Sequence, residues 1–291
     1  MKVKIKDQQE KFQIIAVNQE NLEQYGAPCF LNPKHDAHCV KKQWIKEQLA
    51  GNLKIKHLIM TGEKKPVGFI EYIAGENAWR AVDAPNYLFI HCIWISPNKY
   101  KEQGYGSKLI QDCITDAKKQ GKSGVATITS EGSFIAGKDL FLKNNFKEIA
   151  TSDRFELLVY QLSPGKVPQF RDDHPILTSL QGLHLCYSDQ CPRVSRSIPE
   201  FEDFLKEHAI PYTLHKYITA KDAQNAPSIY ATFTLVFNGR ILVDHYISLS
   251  RFQNILSQEK IITSKTSSKI SPKSKIPKKG TQKKEKASKK D

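Results

Sequence analysis

The stretch Lys99–Ile110, KYKEQGYGSKLI, sets Gly104 and Gly106 on either side of Tyr105, with Ser107 next. A hydrophobic run of strand character, LFIHCIWIS, precedes it, and SKLIQDCITDAKKQ follows with apolar residues at helical spacing. A strand, a glycine loop and a helix start suit an anionic ligand. The first amides of a helix have no intrahelical acceptor and carry partial positive charge, and glycine lets the backbone approach phosphate oxygens. The dinucleotide fingerprint needs a third glycine and an acid at the end of the next strand, and GVATITS supplies no such acid. A P-loop's Gly-Lys-Ser/Thr, set four intervening residues after its first glycine, is also missing. What remains is basic-x-x-Gly-x-Gly, from Lys101 through Glu102, Gln103, Gly104 and Tyr105 to Gly106. The alternative is a strand–turn–helix joint with no ligand.

Other residues suit proton transfer. Glu71 sits in the apolar strand GFIEYI, where burial would raise its pKa and suit it to act as a base; on the opposite strand face it would be solvated. Glu76 and Glu131 fall in expected loops and are weaker candidates. His91 lies mid-strand, either as a base or as a hydrogen-bonded core histidine. Of six cysteines, Cys186 and Cys191 are spaced for joint thiol chemistry, Cys186 at a strand end and Cys191 at a helix start that would lower its pKa. Cys29, His35, His38 and Cys39 raise a metal question. His35 and His38 make one tight ligand pair, but the cysteines do not make a second, so no metal is expected. A loop near an acceptor site, with Cys29 contacting substrate, is the better reading.

Several elements must position these groups. A strand over Phe12–Val17, a helix over Ala37–Leu49, the strand pair KHLIMT and PVGFIEYI, LFIHCIWIS, a four-turn helix, GVATITS, the short helix AGKDLFLKNN, FKEIA and FELLVYQL make a first domain over residues 1–164. The stretch SPGKVPQFRDDHP (163–175) reads as a linker, whose bounds are set at 165–177. A second domain over 178–258 follows with strand, helix (IPEFEDFLKEHA), strand, short helix, a hairpin through Asn238–Gly239 and a last helix. Of the net charge of +14, a net +9 sits in Ile261–Asp291, which has 11 lysines and two acids. That tail, 259–291, is expected to be disordered, serving as a solubilising segment or as a weak, salt-sensitive contact to nucleic acid or an acidic partner. Without a spanning apolar run or a secretory signal, the expectation is a cytoplasmic protein with no membrane contact.

The loop Lys101–Gly106, the long strand before it, the helix after it and the later NNFKEI resemble the GNAT superfamily of N-acetyltransferases. Lys101 stands where the family usually has Arg or Gln, and Asn145 where glycine is commoner. With GLHLCYSDQCP included, the chain resembles the YoaP-like acetyltransferases over most of Phe12–Leu256. The resemblance implies an α+β fold: a GNAT mixed sheet flanked by helices, then a smaller thioredoxin-like α/β domain. It implies acetyl-CoA as co-substrate, with Gln103–Ser107 cradling the pyrophosphate and Ile93, Trp94 and Ile95 bonding the pantetheine arm. The implied activity is acetyl transfer to a small-molecule or protein amine by direct attack in a ternary complex. Phe141 holds the place of the family's acid tyrosine, leaving that role empty or filled elsewhere. In the second domain, four residues rather than two part the cysteines, and Ala231 stands where redox relatives have a cis-proline. The competing expectations are a non-catalytic module binding coenzyme A or a partner, and a thiol-redox-regulated protein using Cys186 and Cys191.

Overall fold

The computed structural model describes residues 11–262 except 28, 30, 31, 133, 172, 173 and 175. The lysine-rich segment from 263 onward, with the nucleic-acid contact expected of it, lies outside the described residues.

The first unit is built from β1 (Phe12–Val17), α1 (Leu22–Tyr25), α2 (Asp36–Ala50), β2 (Lys54–Met60), β3 (Gly68–Ala74), β4 (Val82–Asp83), β5 (Tyr87–Ile95), α3 (Tyr105–Lys119), β6 (Gly124–Thr129), α4 (Asp139–Leu142), β7 (Lys147–Ser152) and β8 (Phe155–Gln161). Seven strands form one sheet in the order β1-β2-β3-β5-β6-β8-β7. Only β5 and β6 run parallel, as the intervening helix α3 requires; the other pairs are antiparallel. β3 is buried on both faces, so its sequence shows no clean alternation.

Each face has its own cover. α3 presses Leu109, Ile110, Cys113, Ile114 and Ala117 against Leu58, Ile70 and Tyr72, the 3.6-residue stripe legible in its sequence. On the other face Ile55, Ile73 and Trp79 pack with Trp44 and Ile45 of α2 and with Cys186, Tyr217 and Val236 of the second unit. Each such fully buried aliphatic side chain contributes ~1.5–3 kcal/mol, so the two units share a core.

The second unit contains β9 (Gln169–Phe170), β10 (Leu183–Tyr187), α5 (Pro192–Glu207), β11 (Thr213–Lys216), α6 (Ala220–Gln224), β12 (Phe233–Phe237), β13 (Arg240–Val243) and α7 (Leu249–Gln258). Its four-stranded sheet runs β11-β10-β12-β13, parallel between β10 and β11 and antiparallel elsewhere. The hairpin turns through Asn238 and Gly239, both at positive φ, as the turn dipeptide predicts.

Three expectations are corrected. The expected linker is no free connector, because β9 pairs with β4 of the first unit. α5 starts at Pro192, next to Cys191 as the helix start read there implies, and six residues ahead of the helix read over IPEFEDFLKEHA: proline at the first helical position loses no hydrogen bond, and the helix continues through Pro199. The chain does not leave the core at 259, since Ile262 is still buried against the second unit.

Candidate active site

α3 begins at Tyr105, two residues before the helix read from the sequence at Ser107. Its N-cap is Gly104 at φ 81, a left-handed conformation that glycine adopts without penalty, and Glu102 also has positive φ. The first amide to find an intrahelical acceptor is that of Lys108, bonded to the Gly104 carbonyl at 3.1 Å. The amides of Tyr105, Gly106 and Ser107 have no acceptor among the described residues. They open on a cleft of about 530 Å³.

Of the ten residues expected to hold a cofactor, nine line this cleft: Ile93, Trp94, Ile95, Lys101, Glu102, Gly104, Tyr105, Gly106 and Ser107. Gln103 is the exception, its side chain donating to the Lys99 carbonyl. Lys101 reaches over the Trp94 ring, 5.4 Å from its centroid. The far wall is Ile135, Ala136, Gly137, Leu140 and Lys143, all but the first within the short helix read over AGKDLFLKNN, though none was expected to line a ligand cleft. Asn144 fixes the two walls together, donating to Ser107 Oγ at 2.9 Å and to the Leu140 carbonyl at 2.8 Å.

The cleft continues between β5 and β6. Their parallel pairing stops at Ile90↔Thr127, while β6 goes on pairing with β8 to Thr129 and β5 with β3 to Ile95. The two central strands part, and the β6-facing edge of Ile93–Ile95 is left open. The β3–β5 register shifts between Glu71 and Tyr72, which face Cys92 and Ile90 respectively, so His91 is the extra residue of a bulge. A narrow slot lined by Ile93, Ala136, Phe141 and Tyr230 runs through the parting. Beyond it lies a cavity of about 60 Å³ between the two units, lined by Glu71, Arg80 and Cys92 on one side and Gln190, Cys191 and Tyr230 on the other.

Glu71 faces this cavity and is 1% exposed. Lys41 Nζ lies 2.6 Å from its Oε2, and Gln190 Nε2 donates to its Oε1 at 2.8 Å. Burial alone would raise this carboxyl, but the Lys41 ammonium and the His91 ring hold it down at about 2. The raised pKa expected of it is therefore corrected: burial came with a counter-ion. His91 Nε2 accepts the Trp79 amide at 2.9 Å, which puts the ring proton on Nδ1, 3.5 Å from Glu71 Oε1. Burial lowers His91 to about 4. It is neutral at pH 7 with its lone pair in use, an arrangement that orients Glu71 and leaves no free base.

Cys186 and Cys191 part company. Cys186 points into the shared core and burial pushes its thiol to about 12, whereas Cys191 caps α5 and faces the cavity with Cys29 and Cys92. The thiol neighbours of Cys191 come from the first unit, a grouping no sequence spacing reveals. Burial raises Cys29 to about 11 and Cys92 as well. Glu76 accepts the Asn86 amide away from the cavity. His35 caps α2 by accepting from the Ala37 amide. Among the described residues no cluster suits a metal, and no helix is long and apolar enough to cross a membrane.

A parted parallel strand pair with an open helix N-terminus beside it defines a domain class. The acetyltransferase (GNAT) family model matches residues 19–143, which supports a GNAT acetyltransferase domain over that segment, in an enzyme that uses acetyl-CoA as co-substrate. The chain is similar, at 26% identity over 253 residues, to an uncharacterized N-acetyltransferase, YoaP, of Bacillus subtilis (strain 168), covering 84% of this chain and 98% of that protein. Among solved structures, a GNAT-family acetyltransferase from Staphylococcus aureus Mu50 aligns with TM-score 0.38 and 18% identity over 51% of this chain and 98% of that one. A Bacillus subtilis acetyltransferase in complex with CoA aligns with TM-score 0.37 and 19% identity over 52% and 99%.

Proposed function

We propose that the chain moves acetyl from acetyl-CoA to an amine by direct attack within a ternary complex. The cleft takes the coenzyme: the amides of Tyr105, Gly106 and Ser107 face its pyrophosphate, with Lys101 and Lys143 as nearby cations. The open edge of Ile93–Ile95 receives the pantetheine arm as a further strand would, and one of its amides polarises the thioester carbonyl. The acceptor occupies the cavity between the units. The observation carrying this reading is the continuity of the three spaces: the cleft and slot share Ile93 and Ala136, and the slot and cavity share Cys92, Phe134 and Tyr230.

The acceptor ammonium first loses one proton to water. Its nitrogen then attacks the carbonyl carbon, the C–N bond forms and the C–S bond breaks. The nitrogen's second proton ends on the departing thiolate. Phe141 has no proton to give and is packed 5.3 Å from Phe146. Tyr230, which lines both slot and cavity, supplies that proton and is recharged from the nitrogen. Burial raises its hydroxyl to about 12, which keeps it protonated at pH 7 as an acid must be. Glu71, neutralised by Lys41, attracts no ammonium by net charge; its carboxylate oxygens on the cavity wall are hydrogen-bond acceptors for the acceptor's N–H groups. The second unit reads as thioredoxin-like in topology, supported by its strand order; Ala231, at φ 52, takes the turn before β12 without a cis-proline.

Calorimetric titration with acetyl-CoA, beside a Gly104→Glu variant, tests the reading. The parent is expected to bind and the folded variant to lose at least about tenfold, because a carboxylate then stands in the phosphate's place. No binding by the parent overturns it.

A further inference from the structure

Arg80 is one of the most enclosed side chains in the protein, 2% exposed, and lies on the wall of the interdomain cavity. Its Nη1 donates to the Trp79 carbonyl at 2.6 Å and to Gln190 Oε1; its Nη2 donates to the His91 carbonyl at 3.1 Å. The Tyr230 ring lies under its guanidinium, 4.2 Å from centroid to Cζ. All these partners are neutral. Among the described residues no carboxylate comes within ion-pair distance of Arg80. The other cation on this wall, Lys41, is already matched by Glu71, and His91 is neutral. Among the described residues the cavity wall therefore carries one positive charge in excess. Buried charges are ordinarily paired, because leaving one without a counter-ion in a low-dielectric interior is costly.

Resting on the acetyltransferase reading above, we propose that the missing counter-ion is the acceptor's own carboxylate: the cavity takes a small amine that also bears a carboxyl group, of the size of a small α-amino acid. Size agrees with this. One water needs ~10–15 Å³ by the measure that gives this cavity about 60 Å³, so a compact molecule fits and a folded protein surface does not. Polarity agrees as well. Arg80, the unmatched cation, suits a carboxylate, whose planar oxygens match a guanidinium fork, and the nearby Glu71 carboxylate offers the amine hydrogen-bond acceptors. Gln190 spans the two, giving its amide N–H to Glu71 and its amide oxygen to Arg80, so a residue of the second unit sets the separation of the two charges. The Gln190 oxygen also makes the site adaptable: a carboxylate entering beside Arg80 gains a charge-assisted bond while that neutral bond stays in place.

The test is coenzyme A release from acetyl-CoA with glycine, L-alanine and L-serine, each beside its carboxamide. The amides' less basic amines bias the comparison against the proposal. The acids are expected to exceed their amides by about tenfold or more in kcat/KM, the worth of a charge-assisted pair. Arg80→Gln should bring the two within about twofold. If Arg80→Gln does not fold, the parent's own preference for each acid over its carboxamide still decides the proposal. Amides used as well as acids, or no transfer to any of the three acids, overturns the proposal. Acetyl-CoA binding measured on the same preparation separates the two ideas: if it is retained, only the acceptor class has failed; if it is absent, the transferase reading has failed.

Discussion

Gln190 of the second unit donates to Glu71 of the first at 2.8 Å, across 119 residues of sequence. Lys41 closes on the same carboxylate from α2. Removing one member of a buried ion pair costs ~3–5 kcal/mol, because the other is left uncompensated. Glu71→Gln is therefore expected to lose stability of that order in denaturant unfolding, and Lys41→Met with Glu71→Gln to recover part of it. A single-variant loss under about 1 kcal/mol would show that water already screens the pair.

Tyr230→Phe is expected to lower kcat by about 10²-fold or more, with acetyl-CoA affinity unchanged. Phe141→Tyr places a hydroxyl in the same slot and should restore part of the rate in the Tyr230→Phe background. Transfer at the parent rate in the single variant would remove Tyr230 from the mechanism.

Gly106 sits where a Cβ would approach Leu140 Cδ1 to 3.2 Å. Gly106→Val should push the far wall of the cleft and weaken acetyl-CoA binding, while thermal stability falls by only about 1–3 kcal/mol. Equal acetyl-CoA affinity in calorimetry would place the coenzyme elsewhere.

Stability should fall as pH drops from about 6.5 to about 4. Burial lowers both His57 and His91 to about 4, so within that window the unfolded chain binds protons that the folded one refuses. The sign is that of a folded-state pKa below the unfolded value of ~6.5: nothing is lost above it, and the loss is complete near the folded value. Each histidine contributes about 3 kcal/mol at the acid end. His57→Phe should flatten the curve, and an unaltered slope would assign the acid sensitivity to other groups.

Thiol labelling of the native protein should modify the exposed Cys39 first and leave Cys113 and Cys186 untouched until unfolding. Mild oxidation should form no Cys186–Cys191 disulfide in the folded chain. Finding that disulfide by mass spectrometry would return the redox reading to consideration.

The hydrophobic run ahead of Lys99, the two glycines and the amphipathic stripe of α3 are local patterns, and each has a physical meaning within a dozen residues. They determined the strand, the loop, the helix and its open N-terminal end where the structure has them. The Asn238–Gly239 hairpin was legible for the same reason. Tertiary structure decided what depends on which surfaces meet. Glu71 stands in a strand buried on both faces, so alternation could not aim it, and only the arrival of Lys41 and Gln190 fixed its charge. The bulge at His91 and the parting of β5 from β6 come from competing pairings with β3 and β8. Arg80 lies in a short, unremarkable stretch, and nothing local shows that it will be enclosed without a carboxylate. Local sequence determined the cleft at the start of α3; the cavity beyond it exists only because a second unit, joined through a shared core, closes over the sheet.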